Sequence, residues 1–183
     1  MQVLEDAPVF ALFVTQCVQS LRHAEHWLDK ARLTAEQRRF DVDILMDARL
    51  APDMRAFAYQ IQSACDYIKG AAAWLSGQVP PRHADDETTI EQLRLRIRKT
   101  VAYVESVDTK EFADAHLRAV TLSWKPGHVI MGRDYLAQIT VPNVYFHLSM
   151  AYAILRHNGV DVGKMDFLGP MRFVPMDQDA PPA

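Results

Sequence analysis

The sequence predicts an all-α fold: a four-helix bundle interrupted by one small β-hairpin. Three observations carry this reading. Long stretches place apolar residues at alternating steps of three and four, the spacing of one helix face. These stretches end at Gly, Pro or Ser/Thr signals suited to helix termini. Only one stretch, from Leu117 to Met131, alternates with the period of a strand.

Helix one opens the chain. Phe10, Val14, Cys17, Leu21, Ala24, Leu28 and Ala31 form a continuous seam, predicting a helix from about residue 7 to about residue 32. Thr34 and Gln37 have capping-box spacing, and a short helix or turn is expected from Arg38 to Asp47. Pro52 is placed in the first turn of helix two, where a missing N–H costs nothing. The core stripe of that helix is Phe57, Ile61, Ala64, Ile68, Ala72 and Leu75, with Gly77 as its stop. Residues 77–87 contain Pro80, Pro81, Asp85, Asp86 and Glu87 and read as an exposed crossover. Thr88 with Glu91 is expected to cap helix three, whose stripe is Ile90, Leu93, Ile97, Val101 and Val104. The hairpin turns at Lys125-Pro126-Gly127. Helix four is expected from near Asp134 to Gly159. Its faces are apolar over much of its girth, and a kink is expected at Pro142, which removes one donor and obstructs the carbonyl of Gln138. Residues 1–170 are expected to form the bundle, with 171–183 as a mobile tail.

Composition narrows the classes of function. The chain has 183 residues, 49% hydrophobic and 23% charged, which suits one globular domain. A net charge of −3 argues against a nucleic-acid partner. The local run Arg94, Arg96, Arg98 and Lys99 reads as a solvated helix face. Cys17 and Cys65 form no C-x-x-C pair and lie on or beside apolar stripes, so they read as buried free thiols. Nothing resembles a signal peptide or a membrane span, and the expected compartment is the cytoplasm. Phosphate loops, H-E-x-x-H and nucleophile-elbow motifs are absent from the sequence.

Two polar stripes invite a site between helices. On helix two, Tyr59, Gln62, Asp66 and Lys69 recur at steps of three and four; on helix four, Asn143 and His147 share a face. The functional reading makes His147 a general acid or base, with Asp66 holding its tautomer. Asn143 and Gln62 would orient a substrate, with Tyr59 on the same polar face and Lys69 balancing charge. The structural reading makes helix two's polar face a solvated or subunit-facing surface and His147 a satisfied core histidine. Two polar groups on the apolar side of a central helix need a reason in either case. His157 suits the end of its helix as a cation. His23 and His26 have metal-compatible spacing with no third ligand in sequence, and His83, His116 and His128 carry no motif.

The run Phe146-His147 through Ala151-Tyr152-Ala153-Ile154-Leu155-Arg156-His157-Asn158-Gly159, then Gly163-Lys164 and Asp166-Phe167-Leu168-Gly169, resembles an uncharacterised branch of the DinB/YfiT-like superfamily, a domain of unknown function. Ala48 to Met54, the region of Gln60, Gln62 and Asp66, and Gly132 to Leu136 are similar to the same branch. The resemblance implies a DinB-like four-helix bundle with a long crossover between helices two and three, a hairpin before helix four, and frequent homodimers. It also implies, for other members, three histidines on a divalent metal and chemistry on thiols or other small molecules. Here His147 matches one helix-four position, Asn143 replaces the other, and the helix-two stretch has Gln62 or Asp66 in place of histidine. Amide oxygens are poor ligands for zinc or nickel. No metal or other cofactor is therefore expected. The first expectation is a metal-independent small-molecule protein using His147 for proton transfer. The alternatives are a non-catalytic dimeric binding or interaction protein and a weakly metal-dependent transferase or hydrolase.

Overall fold

The apolar seam of the first segment is buried from Cys17 through Ala31, and it continues to Ala35. The computed structural model describes residues 6–173 and 175. Within it α1 spans Asp6–Arg38, beyond the end expected from sequence. Thr34 does not start a new helix; its hydroxyl donates back to the Lys30 carbonyl at 2.8 Å, and the helix runs on. It ends where Arg39 adopts a left-handed φ of 58°, with Phe40 N–H returning to the Ala35 carbonyl at 3.1 Å. A 3₁₀ turn follows over Val42–Asp47, capped by Asp41.

The second helix, α2, spans Phe57–Ser76 and starts five residues after Pro52. Pro52 instead lies in a turn closed by Met54 N–H on the Ala51 carbonyl at 3.0 Å. None of residues 51–56 is buried, so the helix begins where its buried stripe begins. Gly77, at φ 81°, ends it: Gly77 N–H reaches Trp74 and Gln78 N–H reaches Ala73. After the crossover, 77–89, α3 spans Ile90–Ser106. Its capping box is Thr89 with Gln92, one residue on from the expected pair. The Gln92 side chain accepts from the N–H groups of both Thr88 and Thr89, which Glu91 is placed too early to do.

Only half of the basic run on α3 is a solvated face: Arg98 and Lys99 are exposed. Arg94 and Arg96 are buried. Arg94 meets Glu25 and Asp29 of α1 as well as Glu91 of its own helix, and Arg96 faces α2 and the crossover. Helical periodicity turns residues two apart toward different neighbours, and on α3 both directions are occupied by acids.

The hairpin pairs β1 (Ala119–Thr121) with β2 (Val129–Met131) in antiparallel register, Val120 opposite Ile130. It is the one sheet among the described residues. Gly132 follows, and a Cβ there would fall on the Ala115 carbonyl oxygen, so only glycine permits this approach. The chain then runs helically through an α turn (Gly132–Asp134), a π segment (Tyr135–Thr140) and α4 (Val141–His157). The π segment ends just before Pro142, the position of the expected kink. Val141 N–H reaches back to Leu136, and Pro142 falls in the first turn of α4, where it withholds no needed donor.

The centre of the bundle is α2, packed mainly on α4 and α3, with α1 covering α3 and α4. The segment after α4 packs back on the bundle. Its helix α5 (Lys164–Leu168) docks on α1 through Trp27 Nε1 to the Asp166 carbonyl at 3.0 Å and Lys30 to the Asp166 carboxylate at 2.8 Å. Cys17 and Cys65 are buried free thiols, and burial pushes Cys65 up to about 12, so it stays protonated near neutral pH. The tail residues 174 and 176–183 lie outside the described residues.

Candidate functional site

One polar residue sits within the apolar stripe of α2. Gln60 lies on the same face as Phe57 and Ala64, and only 2% of it is exposed. Its Nε2 donates to the Arg55 carbonyl at 3.0 Å, just before the helix. That anchor turns Oε1 toward α4, where it meets Nδ1 of His147 at 2.8 Å. An amide oxygen only accepts, so Nδ1 carries the proton and Nε2 keeps its lone pair. Among the described residues Nε2 has no hydrogen-bond partner.

Aromatic rings wall the imidazole. Tyr67 lies nearly parallel to it with centroids 5.8 Å apart; Tyr59 and Phe146 present edges at 6.0 and 5.3 Å. The Arg55 guanidinium sits 5.0 Å over Tyr59, so Arg55 supports the site by both its carbonyl and its side chain. Burial lowers the His147 pKa below its ordinary value. The ring is therefore neutral near pH 7 and offers a base or acceptor, not an acid.

The other residues singled out from sequence divide between this site and a separate network. Tyr59 is at the imidazole. Asn143 shares the face but donates its amide to the Ile139 carbonyl at 2.7 Å, covering backbone loosened beside the π segment. Asp66 does not orient His147; Gln60 does. One Asp66 carboxylate oxygen accepts from Lys69 at 2.8 Å and from Arg96 at 2.9 Å. Gln62 donates to Glu87 at 2.8 Å, and Glu87 also receives Arg96 at 3.1 Å. Asp66, Lys69 and Gln62 thus belong to a partly buried ion network between α2, α3 and the crossover. A step of two residues on a helix, Gln60 to Gln62, is enough to send one amide to α4 and the other to α3.

A hollow of about 270 Å³ lies beside the imidazole wall, lined by Tyr67, Gly70 and Trp74 of α2, Pro80, and Tyr135 of the π segment, with Asp66 and Lys69. Trp74 also lines a hollow of about 410 Å³ against Leu122 and Trp124 of the hairpin. Aromatic side chains thus run along α2 from His147 to the hairpin tip.

Residues 9–168 match the family described as "Domain of unknown function (DUF1993)". This chain belongs to the DUF1993 family. A crystal structure of a DinB family member protein from Shewanella denitrificans is similar to this DUF1993 chain at 38% identity, with a TM-score of 0.88. The similarity covers 92% of this chain and 96% of that one. The four-helix architecture with its long crossover and hairpin is accordingly DinB-like. No curated protein matches the chain.

The metal that the superfamily resemblance implies does not fit these DUF1993 residues. Only His147 of the implied triad is present, its Nδ1 is held by Gln60, and Asn143 is turned to backbone. Among the described residues no three His, Cys, Asp or Glu side chains converge as a metal site. Gln60, Tyr67 and Phe146 were missed as site residues by sequence reasoning. The signal for Gln60 was an amide inside an otherwise apolar stripe, where a buried polar group must have a partner.

Proposed function

We propose that this DUF1993 protein binds a small organic molecule at the aromatic-walled face of His147, and that His147 works there without a metal as proton acceptor. The observation that carries the reading is the chain Arg55 carbonyl, Gln60 amide, His147 Nδ1, which reserves Nε2 as the free basic nitrogen. A ligand presenting an N–H, O–H or acidic C–H would give that proton to Nε2. The imidazolium so formed keeps its Nδ1–H on the Gln60 oxygen and lies against the Tyr67 ring, and the proton returns to the product from Nε2. Flat or unsaturated ligands suit the aromatic walls of Tyr59, Tyr67 and Phe146.

The rival is a non-catalytic role, and one observation favours it: His147 is only 8% exposed. A thermal-shift screen of metabolites, followed by variants, separates the two. A ligand that raises the melting temperature of the native protein should fail to do so for His147→Ala. His147→Asn should keep binding and lose turnover. A His147→Ala variant that is strongly destabilised, with no ligand found for the native protein, would sink the proposal and leave His147 a structural residue.

A further inference from the structure

The aromatic wall around His147 carries polar atoms beyond the imidazole. His147 Nε2, the Tyr67 hydroxyl and the Tyr59 hydroxyl each lack a hydrogen-bond partner among the described residues. None of the three is sealed: Nε2 and the Tyr67 hydroxyl keep solvent-accessible surface, and Tyr59 is exposed. Both tyrosines stand on α2, about two turns apart. Both rings touch the imidazole, Tyr67 nearly flat and Tyr59 edge-on. Burial, helped by the neighbouring Tyr59 phenol, raises the Tyr67 pKa, so this phenol keeps its proton near neutral pH and donates.

One proton acceptor thus stands beside two proton donors, and among the described residues no carboxylate is bonded to the ring. An N–H or O–H acid carries its proton and its charge on one atom and needs only the base. Separate donors matter where the charge moves away from the atom that loses the proton. A carbonyl compound with a C–H beside the carbonyl behaves in this way. Nε2 takes the proton from the carbon, the C–H electron pair becomes the carbon–carbon double bond of an enolate, and the carbonyl oxygen gains the charge and accepts from the phenols. A neutral imidazole is too weak to remove such a proton unaided, and hydrogen bonds to the developing oxyanion supply the difference. The imidazolium then returns the proton to the same carbon or, in an unsaturated ketone, to the far carbon, which moves the double bond. No oxidant, reductant or second substrate is consumed.

On the reading of His147 as proton acceptor, we propose that the ligand is a flat carbonyl compound deprotonated at the carbon next to its carbonyl, with Tyr67 and Tyr59 as the donors to the enolate oxygen. Acetophenone is incubated with the full chain in neutral heavy water, and loss of its methyl proton signal is followed by NMR against an equal concentration of imidazole. Methyl benzoate, similar in shape but with no such C–H, reports binding alone through the His147 ring signals. The protein should exchange the methyl protons on the order of a hundredfold faster than imidazole. His147→Asn should abolish that gain. Tyr67→Phe should lower the saturating rate about tenfold or more, with a smaller effect on the half-saturating concentration, because the hydrogen bond strengthens as charge develops. A native melting temperature in Tyr67→Phe separates this loss from misfolding, and Tyr59→Phe, at an exposed position, should lower the rate as well. Exchange no faster than imidazole, with methyl benzoate shifting the His147 signals, overturns the proposal and leaves His147 an acceptor for another class of acid. If neither compound shifts those signals, the proposal also falls, and the metabolite screen decides the proton-acceptor reading by itself. An undiminished rate in the double variant Tyr59→Phe/Tyr67→Phe would overturn it too.

Discussion

His147 shows how one residue's charge state is set by its partners. The unfolded imidazole titrates near 6.5, and burial lowers the folded value. As pH falls, the unfolded chain binds the proton first. Stability from the neutral ring is therefore complete above about pH 6.5 and declines as pH drops through the folded value. Denaturant unfolding between roughly pH 7.5 and 5.5 should show this decline, and His147→Gln should reduce the slope. Gln60 offers a sharper probe. Gln60→Leu orphans a buried N–H and should cost on the order of 1–3 kcal/mol. Gln60→Glu places a carboxylate on Nδ1 and should raise the imidazole pKa, read from the ring proton shifts by NMR titration. An unmoved titration in Gln60→Glu would mean that the Gln60–His147 bond does not govern the ring.

At the scale of elements, α2 and α3 are joined by ions as well as by apolar packing. Arg96 links both helices and the crossover through Asp66, Asp85 and Glu87. Arg96→Leu would leave the partly buried Glu87 with only the Gln62 amide and release the crossover, and a loss of about 3 kcal/mol is expected from unfolding curves. A loss within the range of surface substitutions, about 0.5 kcal/mol, would show that the network relaxes into solvent. The π segment has a related role. It winds the chain so that Tyr135 packs beside Gly70, where a Cβ would lie 3.3 Å from the Tyr135 hydroxyl, and it lets Pro142 enter α4 without a missing bond.

For the whole molecule, the proposal is a homodimer. Tyr59 and Phe146 are 41% and 52% exposed around a buried histidine, on the faces of α2 and α4. Exposed aromatic clusters of this kind are found at protein or ligand interfaces. Light scattering should report a dimer across a broad concentration range, and a monomer throughout would refute it. Among the described residues no helix is long and apolar enough to cross a membrane.

The bundle was legible in the sequence because helical periodicity and terminal glycines are local signals. Phe57, Ile61, Ala64 and Ile68 mark one face wherever the helix packs, and Gly77 and Gly159 stop helices through their own left-handed backbone. Capping was less legible: Thr34 with Gln37, and Thr88 with Glu91, have the right spacing, yet the helix passed through the first and started one residue after the second. His147 could be chosen as a polar residue on an apolar helix, but its partner could not. Gln60, Gln62 and Asp66 lie within two turns of one helix, and which of them meets His147 depends on the rotation of α2 against α4 and α3. The same is true of Arg96, whose sequence context of alternating bases reads as a wet surface. Its burial follows only from acids on the crossover and α2 that approach from 9 to 30 residues away. Local spacing determined the helices; the rotation of helices about one another, a property of the packed core, decided which polar groups meet.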